Sequence, residues 1–197
     1  MARIGIYGGS FDPIHRGHVA VALQAFEHTR LDRLVLVPAF EPPHKRRVPL
    51  APFEHRCAMV RCAMAGRDEY VTSDIEATLP RPSYTIRTVE ALTGAHDVPV
   101  LVVGADSLAR LSRWHRASEL LARCELAVAP RDGFAVPANG LGPDLPAARI
   151  AAALLPGPAI AVSSTDVRAR VRRGEPILDL VPDPVAVYIA AHGLYRE

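Results

Sequence analysis

Two histidines three residues apart, His15 and His18, close the stretch "GGSFDPIHRGH" at residues 8–18. Imidazoles at that spacing lie on one side of a helical turn. They can donate hydrogen bonds to phosphate oxygens without a permanent charge that would hold a product too tightly. Gly8 and Gly9, just ahead, lack the Cβ atoms that would keep a ligand at a distance and allow positive φ, so main-chain N–H groups there can face an anion. A helix beginning near Arg16 or Gly17 would aim its dipole and its first-turn N–H groups at the same spot. Either histidine alone reads as an ordinary exposed or satisfied side chain; the spacing, the glycines and the preceding apolar run "IGIY" together point to phosphate. The stretch has neither the Gly-Lys-Ser/Thr of a Walker loop nor the G-x-G-x-x-G of a dinucleotide fold.

A second anion-binding candidate is "SSTDVRARVRR", residues 163–173. Ser163, Ser164 and Thr165 are helix-capping types that also bind phosphate oxygens, and Arg168 would emerge from the first turn. A capped helix with a solvated basic face accounts for Arg170, Arg172 and Arg173 but less well for the Ser-Ser-Thr triplet. Two anion-binding helix starts on one sheet suit a polyphosphate.

The elements that must position these residues follow from hydrophobic pattern. Apolar runs at 3–7, 33–38, 70–76, 98–103, 124–129 and 158–163 alternate with helical patterns at 18–29, 52–65, 83–94, 107–114, 118–124 and 182–194. Runs such as "LVLV" and "VLVV" are apolar at successive positions, as in strands buried on both faces. The expected fold is α/β: a Rossmann-like, doubly wound, mainly parallel sheet with helices on both faces. Its ligand crevice should lie beyond the carboxyl ends of the strands. With 197 residues, 49% of them hydrophobic, the chain is expected to form one domain. Within it, residues 134–158 are a Pro/Gly/Ala-rich flexible flap or plain surface connection, and a C-terminal helical part starts near 163. A net charge of +2 gives no reason to expect nucleic acid or a membrane as partner. Cys57, Cys62 and Cys124 match neither a disulfide framework nor a zinc spacing. With no signal-like or membrane-length apolar stretch, the expectation is a cytoplasmic protein.

"GGSFDPIHRGH" with "SSTDVR" resembles the HxGH and SSTxxR pair of the nucleotidyltransferase superfamily. The stretches "VPAFEPPHK", "EHRCAMV", "PSYTIRT", "VGADSLARLSRWHRASELL" and "VPDPVAVYIAAHGLY" are similar, in order, to its bacterial nicotinate-nucleotide adenylyltransferase branch. The resemblance implies that nicotinate mononucleotide attacks the α-phosphorus of ATP, with Mg²⁺, giving nicotinate adenine dinucleotide and pyrophosphate. It places His15 and His18 on the ATP phosphates under a cover formed by Gly8, Gly9, Ser10 and Phe11. Arg168, Ser164 and Thr165 fall to the departing pyrophosphate, and Gly104 and Asp106 to the adenosine. Lys45, Thr85, Trp114 and Arg131 are assigned to the acceptor. Phe40 and Arg87 depart from the family's pattern, where a small or amide residue and an acidic residue are usual. The alternatives are the same chemistry on nicotinamide mononucleotide or phosphopantetheine, and a non-catalytic nucleotide sensor. Relatives of this kind often form homodimers or larger homo-oligomers.

Overall fold

In the computed structural model, residues 1–41, 49–130, 135–157 and 162–196 are described. Five parallel strands form one sheet among them: β1 (Arg3–Gly9), β2 (Arg33–Pro38), β3 (Tyr70–Thr72), β4 (Val98–Gly104) and β5 (Glu125–Ala129), in the order β3-β2-β1-β4-β5. Side chains alternate across it. Tyr7, Leu34, Leu36, Val100, Val102, Ala127 and Ala129 point to one face. Ile4, Ile6, Val35, Val37, Leu101, Val103, Leu126 and Val128 point to the other. Both sets are buried, which is why these strands read as unbroken apolar runs.

The first face is covered by α1 (Arg16–His28), α2 (Phe53–Met64), α7 (Ser164–Arg172) and α8 (Asp183–Ala191), through residues such as Ala22, Met59, Val167 and Val185. The second is covered by α3 (Thr85–Leu92), α4 (Ala105–Leu108), α5 (Ala117–Arg123) and α6 (Ala147–Ala153), through Ile86, Leu108, Leu120 and Ile150. The doubly wound architecture expected from pattern is therefore present. Helix punctuation also agrees with the residue types: Pro184 occupies the first turn of α8, and Gly193 takes φ 60° just beyond its end.

Three elements differ from their expected form. The apolar run at 70–76 yields only the three-residue β3, followed by a single 3-10 turn at Ile75–Ala77; β3 is the sheet edge, where strands are kept short. The helical pattern at 107–114 divides into α4 and a 3-10 turn at Leu111–Arg113. Leu108 and Leu111 are both fully buried, and their i, i+3 spacing is met by the tighter turn. The segment expected as a surface connection or flap contains α6 instead: Leu145, Ile150 and Leu155 enter the core, and the Leu155 N–H donates to the Val128 carbonyl at 2.9 Å beside β5. Its helix follows Pro146, and alanine-rich sequence lets it lie close to the sheet. The apolar run at 158–163 falls mostly outside the described residues.

Gly5, at the centre of the sheet, is required by packing. A Cβ there would overlap the terminal carbons of Leu31 and Leu34. Gly5→Ala is expected to cost about 1 to 3 kcal/mol through forced repacking, read as a lower urea midpoint at unchanged slope. A wild-type midpoint would contradict this account of the core.

Candidate active site

β1 and β4 are neighbours, and the chain leaves them in opposite directions along the sheet order. Their carboxyl ends flank the crevice where ligands bind in such sheets. Gly8 and Gly9 finish β1 and Gly104 finishes β4. A Cβ at Gly8 or Gly104 would enter open space, whereas one at Gly9 would press on the Phe11 ring at 3.0 Å. Neither Gly8 nor Gly9 has positive φ; the left-handed residue is Phe11, at φ 46°. The freedom that the two glycines allow is not used for a turn: the pair extends the strand, its ladder to β2 continuing through Gly9, and the left-handed position comes at Phe11. That conformation is held by a ring that is 1% exposed and packs edge-to-face on Tyr7 and His18, with centroids 5.5 and 5.1 Å away.

His15 is the N-cap of α1. The His18 N–H donates to His15 Nδ1 and the His15 N–H donates to His18 Nδ1, both at 3.3 Å, and the rings stack at 3.7 Å. Each Nδ1 accepts, so the proton of each neutral ring sits on Nε2 as a donor. This reciprocal cap uses the N–H of His18, and that of Arg16 donates to the Leu180 carbonyl at 2.8 Å. What α1 offers an anion is then its dipole, with no acidic residue in the first turn to oppose it, together with the Gly17 N–H, which neither bond uses, and two imidazole donors.

Burial pulls the His15 pKa down to about 4, against a smaller upward pull from Asp166. The folded protein therefore holds a neutral His15 at neutral pH. Between about pH 4 and 6.5 the unfolded chain binds more protons at this site, so stability is fully present above the upper value and declines as pH falls through the window. The decline amounts to roughly 3 kcal/mol at this one group. Urea unfolding from pH 7 to pH 4 is expected to show it, and His15→Asn, which can still cap, should flatten that part of the profile; an equally steep profile in the variant would refute the assignment.

α7 meets the same loop. Ser163 caps it, accepting the Asp166 N–H at 3.2 Å. The Ser164 hydroxyl donates to the Pro13 carbonyl at 2.9 Å, and Arg168 Nη1 donates to the Asp12 carbonyl at 2.6 Å. Arg168 Nη2 also reaches the Thr165 hydroxyl at 3.3 Å, with Thr165 exposed. The structure thus joins His15, His18, Ser164, Thr165 and Arg168 around one loop, and places Gly104 and the exposed Asp106 at the next strand end.

Thr85 is the first residue of α3, and Trp114 follows the 3-10 turn at Leu111–Arg113. Tyr84 and His115 stack at 4.2 Å, bringing their neighbours Thr85 and Trp114 to one region. Trp114 is half-buried against the second-face core. Phe40 lies edge-to-face on Phe53 at 4.9 Å with the Arg81 guanidinium 4.6 Å from its centroid, and Arg87 covers Tyr84 and donates to the Pro80 carbonyl. Both departures from the family's pattern have local partners. Lys45 and Arg131 lie outside the described residues.

Sequence reasoning missed Arg56. At 2% exposure it donates from Nε to the Ala51 carbonyl and from Nη1 to those of Ser10 and Ala39, at 2.8 to 3.0 Å. A signal existed: Arg56, Met59, Val60, Ala63 and Met64 form the i, i+3, i+4, i+7, i+8 stripe of α2, so the arginine sits on the apolar face. Buried Glu76, which accepts from the Phe40 N–H at 3.1 Å and the Thr88 hydroxyl at 2.9 Å, was also missed; it joins the loop after β2 to α3.

The sequence matches the cytidylyltransferase-like family over residues 6–170. It is 44% identical over 99% of its length to a Roseiflexus sp. (strain RS-1) protein named "Probable nicotinate-nucleotide adenylyltransferase", covering 98% of that relative. A Symbiobacterium thermophilum protein of the same name is 41% identical, with 99% and 96% covered. The chain belongs to the nicotinate-nucleotide adenylyltransferase family. That family's fold is also seen in the structure of Plasmodium falciparum nicotinic acid mononucleotide adenylyltransferase complexed with NaAD, which superposes with a TM-score of 0.77 at 19% identity, covering 99% of this chain and 98% of that one. The same enzyme complexed with APC gives 0.75 at 18% identity, with 99% and 98% covered. Within this family the HxGH and SSTxxR motifs are here His15-Arg16-Gly17-His18 and Ser163 to Arg168.

Proposed function

We propose that the protein transfers the adenylyl group of ATP to nicotinate mononucleotide, releasing pyrophosphate and forming nicotinate adenine dinucleotide. The observation that carries this reading is the reciprocal cap of His15 and His18. It fixes both imidazole rings at the start of α1, each Nδ1 accepting a backbone N–H so that the ring's donor is Nε2, on a loop that α7 also meets. The relatives' names support the acceptor.

The nucleophile is a phosphate oxygen of the mononucleotide, already ionised near neutral pH, so no general base is needed. It forms a bond to the α-phosphorus of ATP as the bond to the bridging α–β oxygen breaks, and the electron pair leaves with pyrophosphate. Catalysis consists of in-line placement and stabilisation of phosphate charge. His15 and His18 hold the phosphates, the loop from Gly8 to Phe11 covers them, and Arg168 with Ser164 and Thr165 receives the leaving group. Gly104 allows close approach of the adenosine, with Asp106 accepting from ribose hydroxyls. Lys45 meets the acceptor's phosphate, Trp114 its ring and Thr85 its carboxylate, and Arg131 belongs to the same acceptor site. Mg²⁺ enters with ATP, bound chiefly by phosphate oxygens; the described residues contain no group of three or more His, Cys, Asp or Glu placed to hold a metal. No described helix is long and apolar enough to cross a membrane; we place the protein in the cytoplasm and expect a homodimer or larger homo-oligomer.

The test is product formation from MgATP with nicotinate mononucleotide, nicotinamide mononucleotide or phosphopantetheine. The acid nucleotide should be consumed in strong preference. Equal or greater use of either rival would overturn the assignment of the acceptor.

A further inference from the structure

Asp12 is 2% exposed in the loop between β1 and α1, and three other parts of the chain converge on it. Its Oδ1 accepts from the Tyr195 hydroxyl at 2.8 Å and from the Ala51 N–H at 3.1 Å. Its Oδ2 lies 3.6 Å from Arg168 Nη1, the same nitrogen that donates to the Asp12 carbonyl. Tyr195 stands beyond α8 at φ 64°, with its ring packed against the first-face core. Burial, reinforced by the Asp12 charge, drives its pKa upward, so the phenol stays a donor at every working pH. Arg56, across the loop, also feels the Asp12 charge.

We propose that Tyr195 is a positioning residue for the leaving group: by holding Asp12 it fixes the direction in which Arg168 presents its guanidinium to the departing pyrophosphate. The proposal rests on the assignment of Arg168 to pyrophosphate given above. A guanidinium is directional, with its donors in a rigid fork, so a carboxylate anchored on one side determines which donors face the phosphates. Asp12 can do this only while its own orientation is set, and Tyr195 supplies a side-chain donor for that purpose.

The experiment compares wild type with Tyr195→Phe, Asp12→Asn and a control, Tyr188→Phe, each as the full chain. Tyr188 also bonds through its hydroxyl, to His55 Nδ1 at 2.9 Å, on the neighbouring helix α8. Binding of inorganic pyrophosphate is measured by calorimetry, alongside forward kcat and the KM for the mononucleotide. Tyr195→Phe and Asp12→Asn should each weaken pyrophosphate binding about five- to tenfold and lower kcat, with the mononucleotide KM within about twofold. Tyr188→Phe should leave all three near wild type. Unchanged pyrophosphate affinity in both variants, or a parallel loss in every constant including those of Tyr188→Phe, would overturn the proposal. An inactive wild type that still bound pyrophosphate in a Tyr195-dependent way would instead remove the functional reading and leave this one standing.

Discussion

His18→Ala is expected to lower kcat by about 10²- to 10³-fold while the KM for ATP moves by no more than about threefold. The loss, on the order of 2 to 4 kcal/mol, falls on the transition state because that is when phosphate charge redistributes toward the leaving group. The surroundings of His18 make the effect specific. Its ring is fixed by the His15 N–H, by the stack on His15 at 3.7 Å and by the edge of Phe11, so the Nε2 donor is placed before substrate arrives. Alanine also removes half of the reciprocal cap, and His18→Asn separates the two contributions: it keeps a side-chain acceptor near the His15 N–H but loses the outward imidazole donor. Steady-state kinetics should show Asn nearly as slow as Ala. Restoration of turnover by Asn, or unchanged turnover in Ala, would limit His18 to a capping role.

Arg56→Ala is expected to have the largest effect on stability, about 3 to 5 kcal/mol, because it leaves the Ser10, Ala39 and Ala51 carbonyls without their buried donor and removes one of the cations near buried Asp12. For a chain of this size that corresponds to a fall in Tm of roughly 6 to 20 °C. Burial lowers the Arg56 pKa and Asp12 counters it, yet a guanidinium stays protonated at any working pH. Arg56→Lys keeps the charge but lacks the fork that serves three carbonyls, and it should recover only part of the loss. Thermal unfolding decides this, and a Lys variant as stable as wild type would show that charge alone suffices. Turnover should fall in both variants, since Ser10 and Asp12 belong to the loop over the phosphates.

The pattern of both-face burial was legible in "LVLV" and "VLVV" because every residue of a central parallel strand meets a helix layer. The helix start at His15 and the capped start of α7 were legible because capping chemistry is local: it depends on three or four consecutive residues. What stayed hidden is non-local. Gly8 and Gly9 allow a left-handed turn by type, but only the tertiary fit of the Phe11 ring shows that the left-handed position lies two residues later. The role of Tyr195 depends on a partner 183 positions away, and no periodicity carries that. The Pro/Gly/Ala-rich segment read as surface because alanines give little apolar signal, although Leu145, Ile150 and Leu155 are buried against the sheet. Arg56 is the intermediate case: its place on an apolar stripe was visible, but not the three carbonyls that justify it.

The account depends most on the two histidines holding phosphate and never attacking it. The direct test uses ATP chirally labelled with sulfur at the α-phosphorus and determines the configuration of the dinucleotide formed. A single in-line displacement by the mononucleotide phosphate predicts inversion at that phosphorus. Retention would mean two displacements through an adenylyl-enzyme, and would make His15 or His18 a nucleophile rather than a donor.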